Sequence, residues 1–148
     1  MRRIITILFL SYSSTCFSFE LKLDCDVKST YTYSSGSVER NVGKALIEVR
    51  ESSTDTLIVV SSAIDLVNDL SVATFQAENR SIQNLSDSNK WNIKTTITRA
   101  DRVSVTGILI DRNSGMLIIE RTFNNNGRIS TTQVSGTCNK IDTTRRKF

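Results

Sequence analysis

The chain of 148 residues contains no histidine and no proline. Without histidine it can form neither a Ser-His-Asp nor a Cys-His catalytic pair, and it lacks both the usual zinc ligand and the commonest general base. Without proline, every backbone N–H remains able to donate into a sheet ladder. No G-x-x-x-x-G-K-[ST] loop, dinucleotide glycine fingerprint or EF-hand spacing occurs, so no cofactor and no metal is expected. Glycine is sparse, with six residues, and there is a single tryptophan, Trp91. The length falls within the usual ~100–200 residues of one domain.

The apolar stretch from Ile4 to Leu10 is far shorter than the ~20 residues a membrane-spanning helix needs. Preceded by Met1-Arg2-Arg3 and followed by small and polar residues from Ser11 to Ser18, it has the three-part grammar of a secretory signal peptide. Residues 1–18 are therefore expected to be a leader, with cleavage after Ser18 or, as a near rival, after Cys16. A lipidated Cys16 is the third reading; Ser13-Ser14-Thr15 before it lacks the leucine and the final small residue of a lipoprotein motif. Residues 19–148 remain as one domain, exported to the periplasm or secreted.

Leader removal reduces three cysteines to two, and an even count in an exported chain points to a bridge. Cys25 would pair with Cys138, closing nearly the whole mature chain; two buried free thiols are the alternative. The formal charge of +4 falls to +2 when Arg2 and Arg3 leave, with 17 basic residues against 15 acidic. Arg145, Arg146 and Lys147 belong to a basic tail at 143–148. A nearly neutral domain with a charged end does not present the clustered basic face of a nucleic-acid binder.

Period-two alternation dominates the rest. From Glu20 to Lys28, Leu21, Leu23, Cys25 and Val27 share one face, as in a half-buried strand. Tyr31 to Gly36 and on to Asn41-Val42-Gly43 is rich in Ser, Tyr and Gly and reads as a loop, with room for a ragged strand within it. Gly43 to Arg50 and Thr56 to Ser61 form a hairpin about Glu51 to Asp55. Ala63, Leu66, Val67 and Leu70 recur at helical spacing, and Ser62 with Asp65 resembles a capping box, which allows one short helix near 62–70. Leu70 to Ala77 returns to β character, and Glu78 to Lys90 is polar, anchored only by Ile82 and Leu85. Trp91, Ile93, Thr95, Ile97 and Arg99 then alternate with polar neighbours. Val103, Val105, Gly107 and Leu109 do the same, as do Leu117, Ile119, Arg121 and Phe123. Turns fall at Asn113-Ser114-Gly115 and Asn124-Asn125-Asn126-Gly127, and the last strand runs from Arg128 to Cys138. The expectation is an all-β, mainly antiparallel barrel or sandwich of seven or eight strands, its terminal strands joined by the disulfide.

Few residues offer chemistry. Asp24 and Asp26 share the outward face of the first strand and Asp111 precedes a turn. Such carboxylates could serve a glycosidase-like hydrolase, but their placement matches ordinary solvation and turn formation. Trp91 is expected in the core or, as a ligand platform, at a barrel mouth. Arg99, Arg112 and Arg121 lie on or beside the C-terminal strands, where they could pair with Asp101, Asp111 or Glu120, or recognise an anion. Asn79-Arg80-Ser81 and Asn84-Leu85-Ser86 match the glycosylation sequon, which would carry no meaning were the protein bacterial.

The residues Ile110-Asp111-Arg112-Asn113-Ser114-Gly115, Leu117, Phe123, Gly136-Thr137-Cys138 and the end Lys147-Phe148 resemble a loose group of small exported proteobacterial proteins with no assigned function. The resemblance covers the last forty or so residues and implies a shared fold and not an activity; the group has no known catalytic residues to carry over. A weaker similarity is to periplasmic inhibitors of c-type lysozyme, small disulfide-bearing barrels whose Ser-Ala-Ser-Gly type loop has no counterpart here, Asn84 to Lys90 standing before Trp91.

Three roles follow as expectations. The first is a non-enzymatic envelope protein, inhibitor- or immunity-like, that binds another envelope or secreted protein. The second is a small-ligand carrier with its ligand in the barrel, contacted by Trp91 and the arginines. The third is a carboxylate-dependent hydrolase. A carrier should present inward polar residues on several strands, whereas the alternating faces read as an ordinary apolar core.

Overall fold

The computed structural model describes residues 19–62, 70–74 and 78–141. Nine strands form one antiparallel sheet: β1 (Phe19–Thr32), β2 (Val38–Glu51), β3 (Thr56–Ser62), β4 (Val72–Ala73), β5 (Arg80–Asn84), β6 (Lys90–Arg99), β7 (Arg102–Asp111), β8 (Met116–Asn125) and β9 (Arg128–Lys140). Their order is β4-β3-β2-β1-β9-β8-β7-β6-β5, curled into a nearly closed barrel in which β4 lies against β6 and β7. The expected all-β antiparallel class holds, and of the two architectures it is the barrel. The expected leader with Cys16, and the tail at 143–148, lie outside the described residues. So does the short helix near 62–70, apart from Ser62, which ends β3, and Leu70, which is buried.

Among the described residues the strand count needs correction from seven or eight to nine through one strand, β5, and two of the expected strands are longer than the alternation suggests. The supposed loop from Tyr31 to Gly43 is the continuation of β1 and the start of β2, which pair from Tyr31↔Glu39 and Thr32↔Val38 onward about a short turn. The polar stretch after Glu78 contains β5, an edge strand with β6 as its partner, whose side chains are mostly exposed. Both escape an apolar-alternation reading because neither has an apolar face to show. Conversely, only Val72 and Ala73 of the stretch Leu70 to Ala77 form a described strand.

The topology is two meanders, β1 to β4 and β5 to β9, joined where β1 pairs with β9. Cys25 and Cys138 are directly opposite in that ladder and form the expected disulfide. At the β8–β9 hairpin Asn126 and Gly127 both adopt positive φ (51° and 82°), and Gly127 N donates to Asn124 Oδ1 at 2.9 Å. Two successive positive φ values match the right-handed twist of the strands they join, which is what Asn-Gly supplies.

One end of the interior is packed solid. Leu23, Cys25 and Val27 of β1, Ile47 and Val49 of β2, Ile58 of β3, Ile93 of β6, Ile108 and Ile110 of β7, and Leu117 and Ile119 of β8 belong to one buried cluster. The face assigned to β7 from sequence is the wrong one: Val103, Val105, Gly107 and Leu109 point outward, and Thr106, Ile108 and Ile110 point in. Apolar residues occur on both faces of this strand. The inward face is interrupted by a threonine because the interior is itself polar at that level.

Candidate functional site

The two ends of the barrel differ in chemistry. At the end where β2 finishes and β6 begins, Glu51 reaches across the interior. Its Oε1 accepts from Trp91 Nε1 at 2.7 Å and from Arg112 Nη2 at 3.2 Å, while the Arg112 guanidinium stacks 3.9 Å above the Trp91 ring. Trp91 is buried to 3% exposure. An indole with its N–H satisfied beneath an arginine–carboxylate pair caps this end of the core. Here the core reading of Trp91 holds, and Arg112 pairs with Glu51 instead of Asp101, Asp111 or Glu120.

The opposite end carries the turns between β1 and β2, β6 and β7, and β8 and β9. There the registers align Thr95↔Thr106, Thr106↔Arg121, Arg121↔Thr132 and Thr132↔Tyr31. These five residues form one continuous row across β6, β7, β8, β9 and β1, all on the inward face. Thr95, Thr106 and Thr132 are buried, as is Ser29. The row immediately on the core side is Ile93, Ile108, Ile119 and Val134, so on β6 to β9 the change from apolar to polar occurs in a single step, while on β1 it begins one row deeper, at Ser29. The row on the solvent side is Ile97, Ser104, Phe123 and Ser130, and beyond it Arg99 stands opposite Arg102.

These side chains enclose two recesses sharing Arg121 and Phe123. One, of about 270 Å³, is lined by Tyr31, Ser130 and Thr132; the other, of about 230 Å³, by Thr95, Ile97, Ser104, Thr106, Arg99 and Arg102 among others. Together they reach the size range of small-molecule sites, roughly 300–1,000 Å³. Arg121 Nε donates to Ser104 Oγ at 3.1 Å, and its guanidinium sits 5.9 Å from the Phe123 ring, which fixes the charge in the shared wall. Of the four site residues expected from sequence, Arg99 and Arg121 meet in this chamber, and Trp91 and Arg112 meet at the other end. Arg102 and the hydroxyl row were missed. Their signal was the inward parity of Thr95 with Ile93, and of Arg121 with Ile119, on strands whose apolar face stops halfway.

The acidic candidates lie elsewhere. Asp24 and Asp26 are on the outer surface, both within reach of Lys44 Nζ at 3.5 and 2.9 Å. Asp111 organises the β7–β8 turn: its Oδ1 accepts from the backbone N–H of Ser114 (2.7 Å), the Ser114 hydroxyl (2.9 Å) and the N–H of Asn113 (3.0 Å), which hold its carboxyl below the ordinary range. On the outer wall Glu48 is likewise held low by the ammonium of Lys22 and the guanidinium of Arg50. Among the described residues no three His, Cys, Asp or Glu side chains converge as metal ligands would.

Fold and chamber together define a disulfide-stapled antiparallel barrel, capped at one end by Trp91, Glu51 and Arg112 and polar-lined at the other. No protein-family model matches the chain, and neither the curated proteins nor the solved structures contain a significant match to it.

Proposed function

We propose that the chain is an exported, non-enzymatic barrel that holds a small ligand in the chamber beside Arg121. The row Thr95, Thr106, Arg121, Thr132 and Tyr31 carries this reading, because it supplies the inward polar residues on several strands that separate a carrier from a barrel filled with apolar core. Buried hydroxyls bring no stability that valine would not bring, and they orient a ligand that enters a mostly apolar site. Export is supported by the leader-like N-terminus and by the disulfide that joins the two meanders, a bond that persists in oxidising compartments.

Native mass spectrometry of the protein purified without denaturation tests the reading. The expected result is an adduct of constant mass that is lost on unfolding and absent from Ser104→Phe, whose ring would occupy the chamber. A wild-type protein free of any adduct, and not stabilised by any of a panel of small metabolites, would argue against a carrier.

A protein-binding role is favoured by one observation on the outer wall. A groove of about 450 Å³ crosses β6, β7 and β8 over Gly107, bordered by Val105, Leu109 and Ile118. A Cβ at Gly107 would meet nothing nearer than the Glu120 carbonyl oxygen at 4.0 Å, so the wall itself admits a side chain there and Gly107→Arg is the change that obstructs the groove. Capture of one envelope protein by the oxidised chain, abolished by Gly107→Arg, would support this role; capture indifferent to that change would not.

A further inference from the structure

We infer that the chamber takes a small organic anion, its charged group held at the rim by Arg99 and Arg102 and its apolar part laid against Phe123 and Ile97. The inference rests on the carrier reading and adds the chemical class of the ligand.

Arg99 and Arg102 are direct partners in the β6–β7 register, and both line the recess. Like charges placed directly opposite each other weaken an antiparallel ladder. Among the described residues neither forms an ion pair, and Asp101, in the turn between them, pairs with neither. An oxyanion bridging the two guanidiniums would supply the missing counter-charge, with the planar donor forks that carboxylate and phosphate groups fit. Behind the rim the Arg121 guanidinium provides a third positive charge, anchored by Ser104.

The walls define the rest of the ligand. Phe123 and Ile97 face the recess beside the Ser104 and Thr106 hydroxyls, so an apolar body with few polar atoms finds both contact and hydrogen bonds. Past Thr95 and Thr106 the interior closes into Ile93 and Ile108, which limits the ligand's depth to the polar half of the barrel. A carboxylate and a phosphate or sulfate monoester share the required chemistry.

The test uses the oxidised protein produced from the full-length chain, with the fluorescent probe anilinonaphthalene sulfonate and its uncharged parent phenylnaphthylamine. The sulfonate is expected to bind at one site, about tenfold or more tighter than the parent, and the double variant Arg99→Gln, Arg102→Gln should erase that preference while leaving the parent's affinity unchanged. Octanoate and octyl phosphate should displace the sulfonate where octanol does not, and the more effective of the two names the head group. Equal binding of both probes, unaltered in the double variant but abolished by Ser104→Phe, would overturn the anion inference and leave the carrier reading standing. Binding of neither probe, or binding indifferent to Ser104→Phe, would overturn both. Should Ser104→Phe fail to fold, Ser130→Phe at the larger neighbouring recess serves the same purpose.

Discussion

Trp91 and Glu51, forty positions apart in sequence, are joined by a 2.7 Å hydrogen bond from the indole N–H to the carboxylate across one end of the barrel. The same oxygen receives Arg112. Removing it leaves a buried indole donor and a guanidinium without their acceptor. Glu51→Ala is therefore expected to lower unfolding free energy by about 1–3 kcal/mol, and Glu51→Gln, which keeps an acceptor oxygen, by clearly less. Denaturant titration followed by the emission of the sole tryptophan measures both; equal losses would mean that the negative charge, and not the acceptor oxygen that Gln retains, carries the contribution.

The disulfide spans 113 positions and ties together the two meanders at the ladder between β1 and β9. Cross-linking so long a loop removes many conformations from the unfolded chain. Cys25→Ala with Cys138→Ala should reduce stability by about 2–5 kcal/mol in guanidinium unfolding. A midpoint unmoved by the double change would show that the ladder alone secures the junction.

Two glycines on neighbouring walls should behave in opposite ways. A Cβ at Gly136 would run into the Asp26 carbonyl oxygen and lie 2.9 Å from Val27 Cγ1, backbone and core that cannot withdraw, whereas Gly107 faces open space. Gly136→Ala is expected to cost about 1–3 kcal/mol, and Gly107→Ala to stay within about 0.5 kcal/mol of the parent. Thermal unfolding of the pair checks the register: a neutral Gly136→Ala would contradict the close approach of β9 to β1.

Asp111 contributes a pH-dependent increment. Because the N–H of Ser114, the Ser114 hydroxyl and the N–H of Asn113 hold its carboxyl below the ordinary value, the unfolded chain takes up the proton first as pH falls. Its stabilisation is complete above the unfolded carboxylate pKa, about 4, and is lost as pH drops through the lower folded value. The stability gap between the parent and Asp111→Ala should thus be constant near neutrality and narrow in acid. A gap that persists unchanged into the acid range would assign the effect to turn geometry and not to charge.

The threonine row separates stability from function. Thr106→Val keeps the branched shape and removes a buried hydroxyl together with its desolvation cost, so stability should change by less than about 1 kcal/mol or rise. Affinity for the sulfonate probe should fall in the same variant. Retained affinity would mean that the hydroxyl does not face the ligand.

Much of this was readable in residue order, because a β-strand's side chains alternate with the chain itself. Leu21 through Val27, Trp91 through Arg99 and Leu117 through Phe123 each announce a strand and its inner face, Asn126-Gly127 announces its hairpin, and cysteine arithmetic pairs Cys25 with Cys138. Tertiary structure alone decided the remainder. Alternation identifies an inner face only where the interior is apolar, so β7 was turned inside out by Thr106 and the start of β2 passed for loop. Nor does local pattern say at which end of a barrel a residue will stand. Register and curvature, which depend on partners far away in the chain, sent Arg112 to Glu51 and brought Arg99, Arg102 and Arg121 together around one chamber.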